Sequence, residues 1–338
     1  MTILHLSRRT LLVAGAVTVA LALVVSMPQL LGSEVHRALG GLGAASPAWL
    51  WLAGAAFLGS LVCSAGAWRS ALGLVGGRVD PFDAGARYGV GSLVNSLAPA
   101  RLGDAVRIAL FARALPGEDR LWTTGSVFAA LGAARALVLA VLLVVASATG
   151  ALPLWPVLLL GGLVAVAATL AFATRHRPAH SRVAHLLDAF RALGSSPRGG
   201  VRLVGWVALA TVARLTAATA IAASLGVHTP LLAALIVVPA LDLAGTIPLT
   251  PGNVGVTSGA VTMALQAHGV DLTTALASGI AFHAVETAVG LVYGLASALV
   301  LARFRSPSTR RWTVAAAGTL ASIGLVAGFS ASVFDTFA

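Results

Sequence analysis

The chain has 338 residues, 58% hydrophobic and only 10% charged, with mean hydropathy +0.93. Its formal net charge of +11 comes entirely from arginine, because no lysine is present. This composition excludes a soluble globular domain and nucleic-acid binding, and implies a polytopic helical membrane protein with basic cytoplasmic loops.

Taken in chain order, spans are predicted at residues 11–31, 48–73, 121–149, 154–174, 200–225, 272–302 and 312–334, each near the 20 or so residues that a bilayer requires. The opening LSRRTLLVAGAV resembles an export signal, but its apolar run is long and no small-residue cleavage site follows, so an uncleaved first helix is expected. Cys63 falls inside a span and has no second cysteine to pair with. Arg8 and Arg9 precede the first span, and Arg78 and Arg87 follow the second. The loop 175–199 carries Arg175, Arg177, Arg182, Arg191 and Arg198, while Arg303, Arg305, Arg310 and Arg311 separate the last two spans. The alternate loops are poor in arginine. A multi-pass protein of a prokaryotic cytoplasmic membrane is expected, with its amino terminus inside and its carboxy terminus outside. Within 175–199, Val183, Leu186, Leu187, Phe190 and Leu193 recur at helical spacing, predicting an amphipathic helix on the lipid surface.

Two apolar segments, 82–116 and 228–270, break in their middles at LAPARLGD and PLTPGNVG. Each is too long for one span and too short for two, which predicts two re-entrant hairpins. Pro99 and Pro251 lie 152 residues apart, as do Gly103 and Gly255, Gly117 and Gly269, and Asp119 and Asp271. The expected fold is therefore an all-α membrane protein of seven spanning helices and two re-entrant hairpins in an inverted repeat. A first span and outer loop (1–47) lead into span, hairpin, span, span (48–174). The cytoplasmic loop (175–199) then leads into the inverted second unit (200–334). Broken helices of this kind meet near the midplane, where free amides at 102–104 and 254–256 would face an anion.

At these breaks the sequence resembles the flippase-like transmembrane family typified by the membrane domain of lysylphosphatidylglycerol synthases. The matching residues are Asn95, Pro99, Arg101, Gly103, Asp104 and Arg107, then Pro251, Gly252 and Gly255. Asn253 stands where the family usually has glycine, and GVTSGA lacks the glutamate common just after the second break. No aminoacyl-transfer domain is expected after Ala338, so the resemblance implies lipid translocation and not lipid synthesis.

Charges inside spans are costly in lipid and each calls for a partner. Arg101, Asp104 and Arg107 share a helix face, where one acid leaves positive charge over for a lipid phosphate or simply forms a structural network. Arg214 with Asp242, and Arg135 with Glu286 (151 residues apart), are the expected pairs. His283 and Glu286 make at most half a metal site, so neither metal nor cofactor is expected. The substrate-binding set is Asn95, Arg101, Gly103, Asp104, Arg107, Arg135, Arg214, Asp242, Gly252, Asn253, Gly255 and Glu286. The expected function is movement of an anionic glyco- or aminoacyl-lipid, or a polyprenyl-phosphate-linked substrate, with a membrane lipid as the partner. The alternatives are a lipid-modifying membrane enzyme, for which no nucleophile sits beside a base, and an accessory subunit of a glycolipid pathway. An ion-coupled carrier using Asp104, Asp242 and Glu286 is a variant of the first reading.

Overall fold

A computed structural model of the chain describes residues 45–97, 102–117, 119–154, 157–158, 161–162, 196–244 and 254–303. Eight helices are bounded within them: α1 Pro47–Leu74, α2 Pro81–Leu97, α3 Leu102–Ala112, α4 Arg120–Ala148, α5 Pro197–Ser224, α6 Pro230–Ala244, α7 Val254–Ala267 and α8 Leu272–Arg303. Four of these, α1, α4, α5 and α8, are long and apolar enough to cross a membrane. The protein is thus an all-α membrane protein. The expected spans 48–73, 121–149, 200–225 and 272–302 are found within three residues at each end. The expected spans 11–31 and 312–334 and the amphipathic stretch 183–193 lie outside the described residues, as does most of 154–174.

Proline at the first turn starts α1 and α5, where its missing N–H costs nothing. Glycine ends the same two helices: Gly76 (φ 82°) and Gly226 (φ 75°) adopt the left-handed conformation that closes a helix. Gly117 (φ 92°) and Gly269 (φ 86°) adopt the same left-handed conformation in the turns before α4 and α8, so these glycines, 152 residues apart, share one conformation.

Where the chain breaks, α2 ends at Leu97 and α3 starts at Leu102, while α6 ends at Ala244 and α7 starts at Val254. Each break therefore separates two short helices. In the first pair Arg87 faces Leu110, Gly91 faces Arg107 and Asn95 faces Gly103, so α2 and α3 run antiparallel. In the second, Thr229 before α6 meets His268 after α7 through a 2.8 Å hydrogen bond, bringing the two outer ends together. Pro239 lies within α6, where its ring removes one helical hydrogen bond.

The two halves are joined by small residues. Lipid tails are as apolar as leucine, so close backbone approach, not exclusion from water, holds such helices together. The Ser46 N–H donates to the Ser224 carbonyl at 3.2 Å, Gly66 lies under the Trp206 indole, and Gly199 abuts Leu74, so α1 and α5 run antiparallel. A Cβ on Gly66 would sit 2.7 Å from the indole. Helices α2 and α8 are likewise antiparallel, with Gly89 against Ser297, Leu93 against Gly294 and Ser96 against Gly290. Exchanging α1, α2, α3 and α4 for α5, α6, α7 and α8 turns every closely packed helix pair into another closely packed pair.

Two buried clusters result. One surrounds Trp68, whose ring stacks on Phe111 at 4.7 Å, and the other contains Phe57 edge-on to Phe282 at 4.9 Å. The outer faces carry Val141, Val144 and Val145 on α4 and Val292, Leu295 and Leu299 on α8, as lipid-facing surfaces do.

Candidate functional site

The first break sets its charges on the facing surfaces of α2 and α3. Gly91 and Gly103 let these helices touch: a Cβ on Gly103 would lie 2.0 Å from the Gly91 carbonyl oxygen, and one on Gly91 would lie 2.2 Å from Arg107 Cγ. Into that gap Arg107 folds, 7% exposed. Its Nη1 donates to Asp104 Oδ1 at 2.6 Å, Nη2 donates to Ser92 Oγ at 2.8 Å, and Nε donates to the Tyr88 carbonyl at 3.4 Å. The guanidinium carbon stands 4.1 Å over the centre of the Tyr88 ring, a cation–π contact. Asn95 Nδ2 donates to the same Asp104 oxygen at 3.2 Å, while Asn95 Oδ1 is buried and has no partner among the described residues. Asp104 lies in the first turn of α3, where the helix dipole favours a carboxylate.

All three nitrogens of Arg107 are thus engaged by the protein. The sequence placed Asp104 and Arg107 together but gave no hint of Tyr88 and Ser92. Their signal is the spacing 88, 92, 95, one face of α2. Arg87, counted above among the loop arginines, is buried in α2: its Nη2 pairs with Asp83 at 2.7 Å and its Nη1 donates to the Leu110 carbonyl. The i,i+4 spacing of Asp83 and Arg87 was the available sign.

In the second half, Arg214 Nη1 on α5 pairs with Asp242 Oδ1 on α6 at 2.5 Å, as expected. Glu286 on α8 does not pair with Arg135. It lies instead in the field of Arg214 and Asp242. Arg135, exposed midway along α4, has no hydrogen bond or ion pair among the described residues, and its charge acts on Tyr88. The physical reason is packing: α4 and α8 both lie against α1 and α5 but are not closely packed on each other. Tyr88 is within electrostatic reach of Arg107, Arg135 and Arg214, so it links the two halves of the site. His283 Nε2 meets Thr287 Oγ1 at 3.2 Å, and its Nδ1 is buried and has no partner among the described residues. Among the described residues no group of three or more His, Cys, Asp or Glu could hold a metal.

The structure therefore brings together Asn95, Gly103, Asp104 and Arg107 at one break, and Arg214, Asp242 and Glu286 across α5, α6 and α8. Arg101, Pro99, Pro251, Gly252 and Asn253 lie outside the described residues, and Gly255 is described only as part of helix α7.

The family model for the lysylphosphatidylglycerol synthase TM region matches residues 11–294. No curated protein matches the chain.

Proposed function

As the chain belongs to the family of lysylphosphatidylglycerol synthase TM regions, we propose that it is a transporter moving a lipid with an anionic head group across the cytoplasmic membrane. The observation that carries this reading is Arg135: an arginine midway along a membrane-length helix, without ion pair or hydrogen bond among the described residues, whose charge reaches Tyr88 beside the first break. An uncompensated charge at that depth costs at least about 2.5 kcal/mol, and a phosphate entering from lipid would remove that cost. Arg107 and Asp104 set the shape of the wall at the first break, and Arg214 with Asp242 forms the opposite side. The first-turn amides of α3 and of α7 complete an anion-binding surface.

The antiparallel pairing of α1 with α5, and the exchange of one set of helix contacts for the other, support an inverted repeat. In that reading α2–α3 enters from the cytoplasm and α6–α7 from outside. Both turn back at mid-depth, and alternating access follows from rocking one half against the other. The amino terminus is cytoplasmic. In this reading no bond is made or broken: the protein acts as a transporter and not as an enzyme.

The test is reconstitution. Vesicles containing the protein and a fluorescent phosphatidylglycerol should lose lipid asymmetry faster than protein-free vesicles. Arg135→Gln should abolish the acceleration while leaving the protein folded and monodisperse. Wild-type vesicles indistinguishable from protein-free ones, for phosphatidylglycerol and for glycosylated and polyprenyl phosphates alike, would refute the proposal.

A further inference from the structure

Arg69, Arg78, Arg113, Arg120, Arg198 and Arg202 are all exposed, and contacts between elements far apart in the chain gather them at one end of the protein. Leu74 at the end of α1 abuts Gly199 at the start of α5, so the first two turns of α5, with Arg198 and Arg202, lie level with that end. Arg69 Nε donates to the Val79 carbonyl at 2.9 Å, next to Arg78. A Cβ on Gly77 would lie 2.9 Å from Leu115 Cδ2, so the turn between α1 and α2, with Arg78, meets the turn after α3, with Arg113. Arg120 opens α4 directly after that turn. Among the described residues the exposed acids at this end are Asp80 and Asp119, and Asp80 Oδ2 accepts from the Phe82 N–H at 2.9 Å. Asp83 is already held by the buried Arg87.

The opposite end lacks this charge. It is formed where Ser46 meets Ser224 and Thr229 meets His268, and where Ala151 and Leu152 pack on the Phe57 cluster. Residues 45–52, 149–154, 224–230 and 266–272 contain no arginine and a single carboxylate, Asp271. Exposed aromatic side chains stand at both ends, Phe82 and Trp122 at the basic one and Trp49 and Trp51 at the other, as at the two head-group levels of a bilayer. The two touching turns of the basic end also carry the outer ends of the first broken pair, α2 and α3. The outer ends of α6 and α7 meet through Thr229 and His268 instead, with no arginine beside them.

We propose that the basic end is a docking surface for the head groups of anionic phospholipids, with Arg78, Arg113 and Arg120 holding them beside the outer ends of the first broken pair. None of these three guanidinium groups has an ion pair or side-chain hydrogen bond among the described residues, so their donors are free for phosphate oxygens. The aromatic rim places them at the depth where phosphates already lie, whereas an acidic soluble protein would have to reach into the head groups for the same contacts. The attraction favours phosphatidylglycerol over zwitterionic phosphatidylcholine and weakens as salt screens it. The surface itself stands on this geometry. Its role of raising the share of anionic lipid at the mouth of α2 and α3 rests on the transport reading above. Docking sets how much lipid is at hand and gives the movement no direction.

The purified protein in detergent, given equal amounts of phosphatidylglycerol and phosphatidylcholine and examined by native mass spectrometry, should retain phosphatidylglycerol in excess. Raised salt should remove the excess. Arg78→Gln combined with Arg113→Gln and Arg120→Gln should weaken the retention on the order of tenfold, while lysine at the same three positions keeps most of it. The melting temperature without added lipid should be the same in all three proteins. In vesicles the glutamine variant should need a larger share of phosphatidylglycerol for half-maximal lipid movement and reach the wild-type maximum. Equal retention of both lipids by the wild type, as an acidic protein partner would predict, overturns the surface. So does full retention by the glutamine variant. Preferential retention by a wild type that moves no lipid leaves the surface standing and overturns the transport reading.

Discussion

Arg214 on α5 and Asp242 on α6 meet at 2.5 Å, with side chains 26% and 35% exposed, and so tie the second broken pair of helices to a membrane-length one. Asp242→Asn keeps the shape but leaves the guanidinium half-compensated. Partial exposure tempers the loss to about 2 kcal/mol. Thermal denaturation in detergent should show the drop, and the exchange Arg214→Asp with Asp242→Arg should recover part of it. Full stability in Asp242→Asn would show the pair to be incidental.

The Arg107 cluster should respond differently to each of its parts. Arg107→Lys retains the charge but loses the fork to Ser92 and the stack on Tyr88, so a loss of about 1–3 kcal/mol is expected. Tyr88→Phe keeps both the ring and the carbonyl that Arg107 uses and loses only the hydroxyl's bond to Ser64, so it should cost less than loss of the ring. Tyr88→Leu forfeits the cation–π contact, about 1–2 kcal/mol at a buried site. Equal melting temperatures for Tyr88→Phe and Tyr88→Leu would remove the ring from the account.

Gly89 sits where a Cβ would lie 2.0 Å from Ser297 Oγ. Gly89→Ala should therefore push α2 from α8 and cost about 1–3 kcal/mol. Adding Ser297→Gly removes the obstructing side chain, and the double variant should regain most of the loss. Independent, additive effects in that cycle would contradict the contact.

Asp119 and Asp271 occupy equivalent places, yet only one caps its helix. Asp271 Oδ1 accepts from the Thr274 N–H at 3.0 Å, whereas the Asp119 side chain caps nothing. Asp271→Ala should cost about 1 kcal/mol and Asp119→Ala close to nothing. The Thr274 N–H holds the Asp271 carboxyl below its ordinary value of 3.8. A depressed folded-state value means that its stabilisation is present above pH 4 or so and fades as pH falls through the folded value. Asp271→Asn should flatten that acid limb in a stability-versus-pH curve.

Orientation is open to a labelling test in a Cys63→Ala background. Ser46 and Ser224 share one end of the α1–α5 pair, so Ser46→Cys and His228→Cys should react alike. With the amino terminus inside, both should be labelled by an impermeant thiol reagent in intact cells, and Arg78→Cys only after lysis. Labelling of Arg78→Cys from outside would invert the assigned topology.

The sequence by itself determined the long helices and the places where the chain breaks. Apolar length, flanking proline and terminal glycine are properties of a local window, and α1, α4, α5 and α8 follow from them within three residues. The 152-residue offset was also legible, because a fixed offset needs no coordinates, and Arg214 with Asp242 was one of the two expected pairs. Only the tertiary structure decided which charges are satisfied. Arg87 reads as a loop residue until α3 supplies the Leu110 carbonyl, and Arg107 reads as a free cation until Tyr88 and Ser92 close on it. Arg135 and Glu286 lie 151 residues apart, yet α4 and α8 are not closely packed on each other, and neither charge has an ion pair or hydrogen bond among the described residues. Partner choice depends on contacts between helices far apart in the chain. Those contacts are set by close approaches at glycines such as Gly66, Gly91 and Gly294, whose meaning appears only once the surface opposite each is known.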